Sequence, residues 1–238
     1  MSLVKGKREI REEKAFQLAF IEYLKDFITP HKIKKMDEVL AKRTRHFTVV
    51  LEDIFKPHNA SAVIRSCDCF GIQDIHIIEK SKEYKVNPFV TRGASQWVDL
   101  NKYYREEGDA VKYCFDHLRD QGYKIVGTSP EKGSIRLQDL DPTIKTALVF
   151  GNEHEGISEE VKSNADELIH IPMMGFTDSF NISVSVAICL FELTRNISLQ
   201  EVPDFFLNKE EKEDISYRWY QEVVKNGDMH MQKFLKLY

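Results

Sequence analysis

The chain has 238 residues, of which 42% are hydrophobic and 30% charged, and its formal net charge at pH 7 is −4. This balance is typical of an ordinary globular protein and excludes an intrinsically disordered chain. The sequence contains no run of about 18 apolar residues, which excludes a membrane-spanning helix, and its N-terminus lacks the pattern of a secretory signal. We therefore expect a cytoplasmic protein.

Cysteine spacing and local charge add two expectations. Cys67, Cys69, Cys114 and Cys189 form no CxxC pair and no grouping with histidine at zinc spacing, so we expect reduced thiols and no metal site. Residues 1–45 contain twelve Lys and Arg against seven Asp and Glu. A basic arm on an acidic body is compatible with phosphate binding, and a solvated charged helix explains the pattern equally well.

In chain order, the apolar pattern predicts alternating helices and strands. Helical spacing predicts a helix over about 8–28, ended by Thr29-Pro30, and a second helix over about 34–44. A buried strand over 47–53 leads to a turn at 57–61, where Asn59 or Ser61 is available as N-cap for a helix ending near Phe70. Further strands are predicted over 74–79, 124–128, 146–151 and 168–171, and further helices over about 109–122, from 158, over about 181–195, and twice within 209–236.

This alternation predicts an α/β fold with a mainly parallel sheet that helices cover on both faces. We predict a basic helical arm over 1–45, the α/β domain over 46–200 and a helical extension over 201–238. In such sheets, ligands bind beyond the carboxyl ends of the strands, which directs attention to residues 57–61, 127–130, 151–156 and 172–181.

Several common catalytic motifs are absent from the sequence. It contains no GxGxxG, GxSxG or HExxH. Residues 151–158 have the glycine spacing of a P-loop, but Ile157 stands where the phosphate-binding lysine belongs. The sequence therefore disfavours hydride transfer, nucleotide hydrolysis, zinc proteolysis and α/β-hydrolase chemistry.

Three polar segments remain at the predicted strand ends, and each has a functional and a purely structural interpretation. Asn59 and Arg65 follow the first strand and could contact an anionic ligand. In the structural interpretation, Asn59 only caps the helix and Arg65 only forms an ion pair. Residues 150–158 combine glycines with Glu153, which suits a close ligand or a polar loop. Asn181 and Ser183 open an apolar helix, where they could bind a ligand or act as ordinary caps.

Together the three segments resemble a known family. Asn59-x5-Arg65, the Phe-Gly-Asn-Glu…Gly-Ile-Ser run at 150–158 and the Ile-Pro-Met…Ser-Phe-Asn-Ile-Ser-Val-Ser-Val-Ala run at 171–187 resemble the three motifs of the SpoU/TrmH branch of the SPOUT RNA 2′-O-methyltransferases. The motifs occur in order, and the resemblance covers about residues 38–196. Residues 41–52 and 93–97 are more specifically similar to the TrmH members, which methylate the ribose of a D-loop guanosine in tRNA.

The resemblance implies S-adenosylmethionine as cofactor, RNA and specifically tRNA as partner, and a homodimer that packs through a deep trefoil knot over about residues 124–195. It assigns the cofactor site to Thr128, Gly151, Ile171 and Phe180, although many relatives carry Leu at the position of Phe180. It implies catalytic roles for Arg65, Asn59, Glu153, Asn181 and Ser183. Candidate RNA contacts are His58, Ser179, Lys42, Arg43 and Arg45.

Some alternatives stay open at this point. Arg65 could act as the base, as proposed for the family, or could clamp a phosphate and polarise the hydroxyl, because arginine normally stays protonated. The substrate could be ribosomal RNA instead of tRNA, since the motifs would be identical. A non-catalytic RNA-binding protein with the same fold is a further alternative, whereas a generic nucleotide-binding domain is disfavoured by the missing phosphate motifs.

Overall fold

The computed structural model describes residues 11–54, 56–79, 93–104, 109–131, 133–152, 154–197, 199 and 201–238. Within them, helices and strands follow in the order α1 (Lys14–Lys25), α2 (Pro30–Leu40), β1 (Phe47–Glu52), α3 (Pro57–Cys69), β2 (Asp74–Glu79), β3 (Asp99–Tyr104), α4 (Ala110–Asp120), β4 (Lys124–Thr128), β5 (Ile135–Arg136), β6 (Thr146–Phe150), α5 (Glu159–Asn164), β7 (Glu167–His170), α6 (Ile182–Asn196), α7 (Lys209–Val223) and α8 (Gly227–Phe234).

The strands form one sheet in the order β3-β2-β1-β6-β4-β7-β5, and every neighbouring pair is parallel. The predicted parallel sheet is therefore confirmed. Because all strands run the same way, their carboxyl ends lie at one edge of the sheet. That edge holds the segments that the sequence analysis singled out.

Each face of the sheet carries its own hydrophobic core, so the prediction of helices on both faces is also confirmed. Alternate residues of one strand point to opposite faces. Val49 and Leu51 of β1 join a cluster with residues of α3 and α6, whereas Val50 joins a second cluster with residues of α4. Helices α3 and α6 pack against each other in the first core. This packing brings the start of α6 close to the start of α3.

Two helix starts differ from the prediction, and proline explains both. Helix α3 begins at Pro57 with Lys56 as N-cap, so Asn59 lies inside the first turn and does not cap the helix. Helix α2 begins at Pro30, and the Thr29 side chain accepts a hydrogen bond from the Lys32 N–H. Proline is favoured in the first turn because its missing N–H has no intrahelical partner there.

Strands β3 and β5 were not predicted. All six residues of β3 are only partly buried, and its sequence Asp-Leu-Asn-Lys-Tyr-Tyr lacks the apolar alternation that marks a strand. It is an edge strand, where one side has no partner and burial is weak. Strand β5, at the other edge, has only two residues.

The arm and the C-terminal extension belong to one compact unit, Met1–Arg43 with Leu207–Tyr238, and Thr44–Phe206 forms the other unit. In the first unit α1 packs against α7 and α8 around Phe16 and Phe20, which have no exposed surface. The sequence predicts the arm and the extension as two separate segments, because the apolar faces of helices that are distant in sequence do not reveal which of them pack together. None of the helices in the described residues has the length and apolar character needed to cross a membrane.

A buried histidine gives the stability of the fold a specific pH dependence. His76 of β2 is 1% exposed, and its Nδ1 lies 3.0 Å from the Tyr103 hydroxyl. Burial, with a smaller contribution from the positive charge of His117, lowers the pKa of His76 from 6.5 to about 3. The folded protein therefore keeps His76 neutral, while the unfolded chain takes up a proton as the pH falls below 6.5.

We predict that the free energy of unfolding falls below pH 6.5 and that His76→Phe removes part of this fall. Between pH 6.5 and pH 5 the part due to His76 is about 2 kcal/mol, because one pH unit corresponds to about 1.4 kcal/mol per proton. Urea unfolding at the two pH values measures it, and His31→Phe at an exposed position is the control. An equal fall in His76→Phe and in the unchanged protein would contradict the assignment.

Candidate active site

A cavity of about 290 Å³ lies at the carboxyl ends of β4, β6 and β7. All four predicted cofactor residues line it: Thr128 ends β4, Gly151 follows β6, Ile171 follows β7, and Phe180 precedes α6. They come together because parallel strands end at the same edge of the sheet. The Thr128 hydroxyl donates a hydrogen bond of 3.0 Å to the Val149 carbonyl, which ties β4 to β6 beside the cavity.

One wall of the cavity is the loop that follows β6. Asn152 and Gly156 exchange two backbone hydrogen bonds of 3.1 Å, and the Asn152 side-chain oxygen accepts from the N–H groups of His154 and Glu155. The loop folds back so closely that a Cβ added to Gly151 would lie 1.9 Å from the Gly156 carbonyl oxygen. Glycine is therefore required at 151. Glu153, which was predicted to be catalytic, lies outside the described residues.

The start of α6 joins three predicted catalytic residues. Asn181 is the N-cap of this helix, and its side-chain oxygen accepts from the Ser183 N–H at 2.9 Å and from the Ser183 hydroxyl at 2.7 Å. The Asn181 amide group donates to the side-chain oxygen of Asn59 at 3.2 Å. Asn59 is 6% exposed, so this contact holds a polar group below the surface. Asn181 also lies between Phe180 and Ile182, which both line the cavity.

Arg65 is exposed on α3 and is not among the residues that line the cavity. It lies six residues after Asn59, which is roughly 9 Å along the helix away from the edge where the strands end. No hydrogen bond or ion pair engages its guanidinium within the described part of the chain. In a single chain, Arg65 therefore stands apart from the cluster of Asn59, Asn181 and Ser183.

The candidate RNA contacts have different environments. His58 and Ser179 are exposed, Ser179 lines the cavity, and Lys42 is exposed. Arg43 has no exposed surface, and its guanidinium lies 5.4 Å from the ring centre of Trp219. Burial and this cation–π contact engage the charge of Arg43 within the chain, so its position does not support the predicted contact with phosphate.

Arg45 is partly buried and bound to two carboxylates. Its guanidinium lies 2.6 Å from an Asp74 oxygen and 3.3 Å from an Asp99 oxygen. Asp74 and Asp99 are the first residues of β2 and β3, so this network lies at the edge of the sheet opposite the cavity. The predicted contact of Arg45 with RNA therefore stays a prediction, at a side chain that two carboxylates already engage and that lies away from the cavity.

Several titratable residues of the cavity were not predicted from the sequence. Glu155 and Asp178 line it, as do His154 and His170, whereas the described lining residues include neither lysine nor arginine. The His170 Nδ1 lies 2.9 Å from the Ser134 hydroxyl. All four were visible in or beside the three motifs, but no spacing rule marked them. Two carboxylates without a lysine or arginine beside them suit a positively charged ligand.

No group of three or more His, Cys, Asp or Glu side chains in the described residues has an arrangement that could hold a metal ion.

Residues 46–191 match the family model described as "SpoU rRNA Methylase family". The chain is also similar to two proteins named tRNA (guanosine(18)-2′-O)-methyltransferase. It is 44% identical to the protein of Borreliella burgdorferi over 87% of this chain and 92% of that protein. It is 32% identical to that of Aquifex aeolicus over 86% of this chain and 95% of that protein.

Solved structures give the same relationship. The A. aeolicus TrmH/SpoU tRNA modifying enzyme superposes with a TM-score of 0.72 at 32% identity and covers 82% of this chain and 98% of its own. An AdoMet-bound rRNA methyltransferase from Sinorhizobium meliloti superposes with a TM-score of 0.56 at 25% identity, over 68% of this chain and 60% of its own. The family match spans more than half of the sequence and includes all three motifs, so the chain belongs to the SpoU rRNA Methylase family.

Proposed function

We propose that this chain transfers a methyl group from S-adenosylmethionine to a ribose 2′-hydroxyl in tRNA, at the D-loop guanosine. The main support is the similarity over nearly the whole length of two proteins that are named for this reaction at guanosine 18. The convergence of the three motifs at one edge of the sheet supports it independently. A substrate of this kind would place the protein in the cytoplasm.

The cavity has features that suit S-adenosylmethionine. When bound, this cofactor supplies a methyl group on a positively charged sulfur, and Glu155 and Asp178 give the described cavity wall a negative character. Gly151 brings the backbone close to the cavity without a side chain, which suits recognition through N–H and carbonyl groups. Thr128, Ile171 and Phe180 would complete the cofactor site. A neighbour of similar fold has AdoMet bound, which agrees with this assignment.

The ribose would bind beside the cluster of Asn59, Asn181 and Ser183. The chain must align the 2′-oxygen with the methyl group and must help the hydroxyl lose its proton. Asn181 would serve the alignment because it is held by Ser183 and Asn59 at the rim of the cavity. Arg65 would clamp the adjacent phosphate through two parallel hydrogen bonds and would stabilise the negative charge that develops on the 2′-oxygen as its proton passes to solvent water. Glu153, His58, Ser179 and Lys42 remain predicted contributors.

A second copy of the chain would complete the site. Val184 and Phe191 are 43% and 56% exposed, and their spacing of seven residues puts them on one side of α6, while Phe180, which is 43% exposed, precedes the N-cap of the helix. An exposed apolar stripe of this kind is typical of a subunit interface. A dimer through α6 and the proposed knot over residues 124–195 would let each cavity receive Arg65 from the facing chain, which explains why Arg65 does not line its own.

Ribosomal RNA is the second candidate substrate. One observation favours it: the chain is 31% identical to a 23S rRNA (guanosine-2′-O-)-methyltransferase of Coxiella burnetii, over 69% of this chain and 66% of that protein. The two named tRNA enzymes match over more of their length, which makes tRNA the better supported substrate. A non-catalytic RNA-binding role receives no comparable support.

Incubation with unmodified tRNA and S-adenosylmethionine should yield 2′-O-methylguanosine in the D-loop, detected by nucleoside mass spectrometry. Arg65→Ala should lower this yield at least about 100-fold, the range of one lost acid–base or clamping group, while cofactor affinity stays within about twofold. Arg119→Ala on the other face of the sheet is the matched control. Turnover near normal in Arg65→Ala would remove Arg65 from the mechanism, and methylation only of ribosomal RNA fragments would overturn the tRNA assignment.

Gly151→Ala should weaken the binding of S-adenosylmethionine at least about tenfold, because relieving the backbone overlap must displace the cavity wall. Isothermal titration calorimetry measures the affinity. Gly175→Ala is the matched control in the loop before α6, because a Cβ at Gly175 meets only the Thr177 nitrogen at 3.9 Å. Equal affinities of Gly151→Ala and the unchanged protein would show that the cofactor binds elsewhere.

Phe191→Glu should convert the protein from a dimer to a monomer at micromolar concentration, since a carboxylate would be buried in an apolar interface. Light scattering coupled to gel filtration gives the mass directly. Tyr113→Glu, at an exposed aromatic residue on α4, should leave the dimer intact. A monomer in the unchanged protein, or a dimer that survives Phe191→Glu, would count against the proposed interface.

A further inference from the structure

The last residue of β1 is a buried glutamate, and the proposed reaction assigns no role to it. Glu52 is 2% exposed and ends a strand that pairs with β2 on one side and β6 on the other. Just beyond it, Asp53 adopts a left-handed backbone conformation with φ 48°, and its N–H donates to the Ile78 carbonyl at 2.9 Å. The backbone that carries Glu52 is therefore held on both sides of the residue.

Both carboxylate oxygens of Glu52 accept hydrogen bonds from one residue, Ser158. The Ser158 N–H donates to Oε2 at 2.8 Å, and the Ser158 hydroxyl donates to Oε1 at 2.6 Å. The same hydroxyl oxygen accepts from the Val161 N–H at 3.2 Å as the N-cap of α5. Glu52 thus fixes both the position and the orientation of Ser158 across a separation of 106 residues.

Ser158 ends the loop that forms one wall of the cavity. Gly156, two residues earlier, is the point where the loop passes over Gly151, at the distance that leaves no room for a Cβ. Between them, Ile157 is 3% exposed in the second hydrophobic core. The apolar contact of Ile157 anchors the loop to the core, but apolar contacts do not depend on orientation. The two hydrogen bonds from Ser158 to the Glu52 carboxylate are directional, so they define the position of the loop backbone.

We propose that Glu52 is a positioning residue for the cofactor: it holds the described loop residues 151–152 and 154–158 in the position that binding of S-adenosylmethionine requires. Glu52 does not line the cavity itself, so it acts through Ser158 and Gly156. This inference rests on the proposed function. Stability alone is a weak reason for a buried carboxylate, because a well-packed apolar residue often stabilises a protein as well or better.

The test compares an apolar and an isosteric replacement. Glu52→Leu removes both acceptors and should raise the dissociation constant for S-adenosylmethionine about tenfold, since the partly buried Ser158 N–H and hydroxyl lose this partner and the loop loses its fixed position. Glu52→Gln should stay within about threefold, because its amide can accept from the Ser158 N–H and donate to the Ser158 hydroxyl. Calorimetry measures cofactor affinity, and filter binding measures tRNA affinity, which should not change. Glu159→Leu is the matched control, because Glu159 is an exposed glutamate that follows Ser158 directly in the chain.

The outcomes separate this inference from the proposed function. A lower melting temperature in Glu52→Leu with unchanged cofactor affinity would mean that Glu52 serves stability only, and would overturn the proposal. If Glu52→Leu does not fold, Ser158→Ala keeps the backbone hydrogen bond and should weaken cofactor binding about threefold. An unchanged affinity in that variant would likewise overturn the proposal. Failure of the unchanged protein to bind S-adenosylmethionine would refute the proposed function itself.

Discussion

The parallel pairing of β4 with β6 and β7 determines where the cavity forms and which segments reach it. It puts Thr128, Phe150 and His170, the last residues of three strands, at one edge of the sheet. Segments that are far apart in sequence can meet there while their backbone hydrogen bonds remain satisfied within the strands. At this edge the backbone of Gly156 passes so close to residue 151 that only a residue without a side chain fits, and residue 151 is glycine.

Helix α6 connects the three parts of the proposed machinery. Its N-cap, Asn181, reaches Asn59 at the start of α3, and its first turn borders the cavity. Its inner face packs against α3 in the first hydrophobic core, while Val184 and Phe191 leave an apolar outer face. A displacement of α6 would therefore move the wall of the cavity and the cluster of Asn59, Asn181 and Ser183 together, which is a physical reason to propose a site shared between two chains.

The central strands could be predicted from the sequence because helices cover both faces of the sheet. Strands that are buried on both faces have mostly apolar sequences, as in residues 47–51 and 146–150. Strand β3 was missed because an edge strand with half-exposed residues carries no such signal. Motif residues Asn59 and Asn181 could be paired only through the family resemblance. The contact of Glu52 with Ser158 and the burial of Arg43 against Trp219 are tertiary facts that composition and spacing do not contain.

A crystal structure of the protein with S-adenosylhomocysteine would locate the ligand without relying on turnover. We expect the ligand in the cavity between Thr128, Gly151 and Ile171, with hydrogen bonds mainly to backbone groups and its sulfur facing Asn181 of the same chain or Arg65 of a second copy. Ligand bound away from the carboxyl ends of β4, β6 and β7 would contradict this expectation.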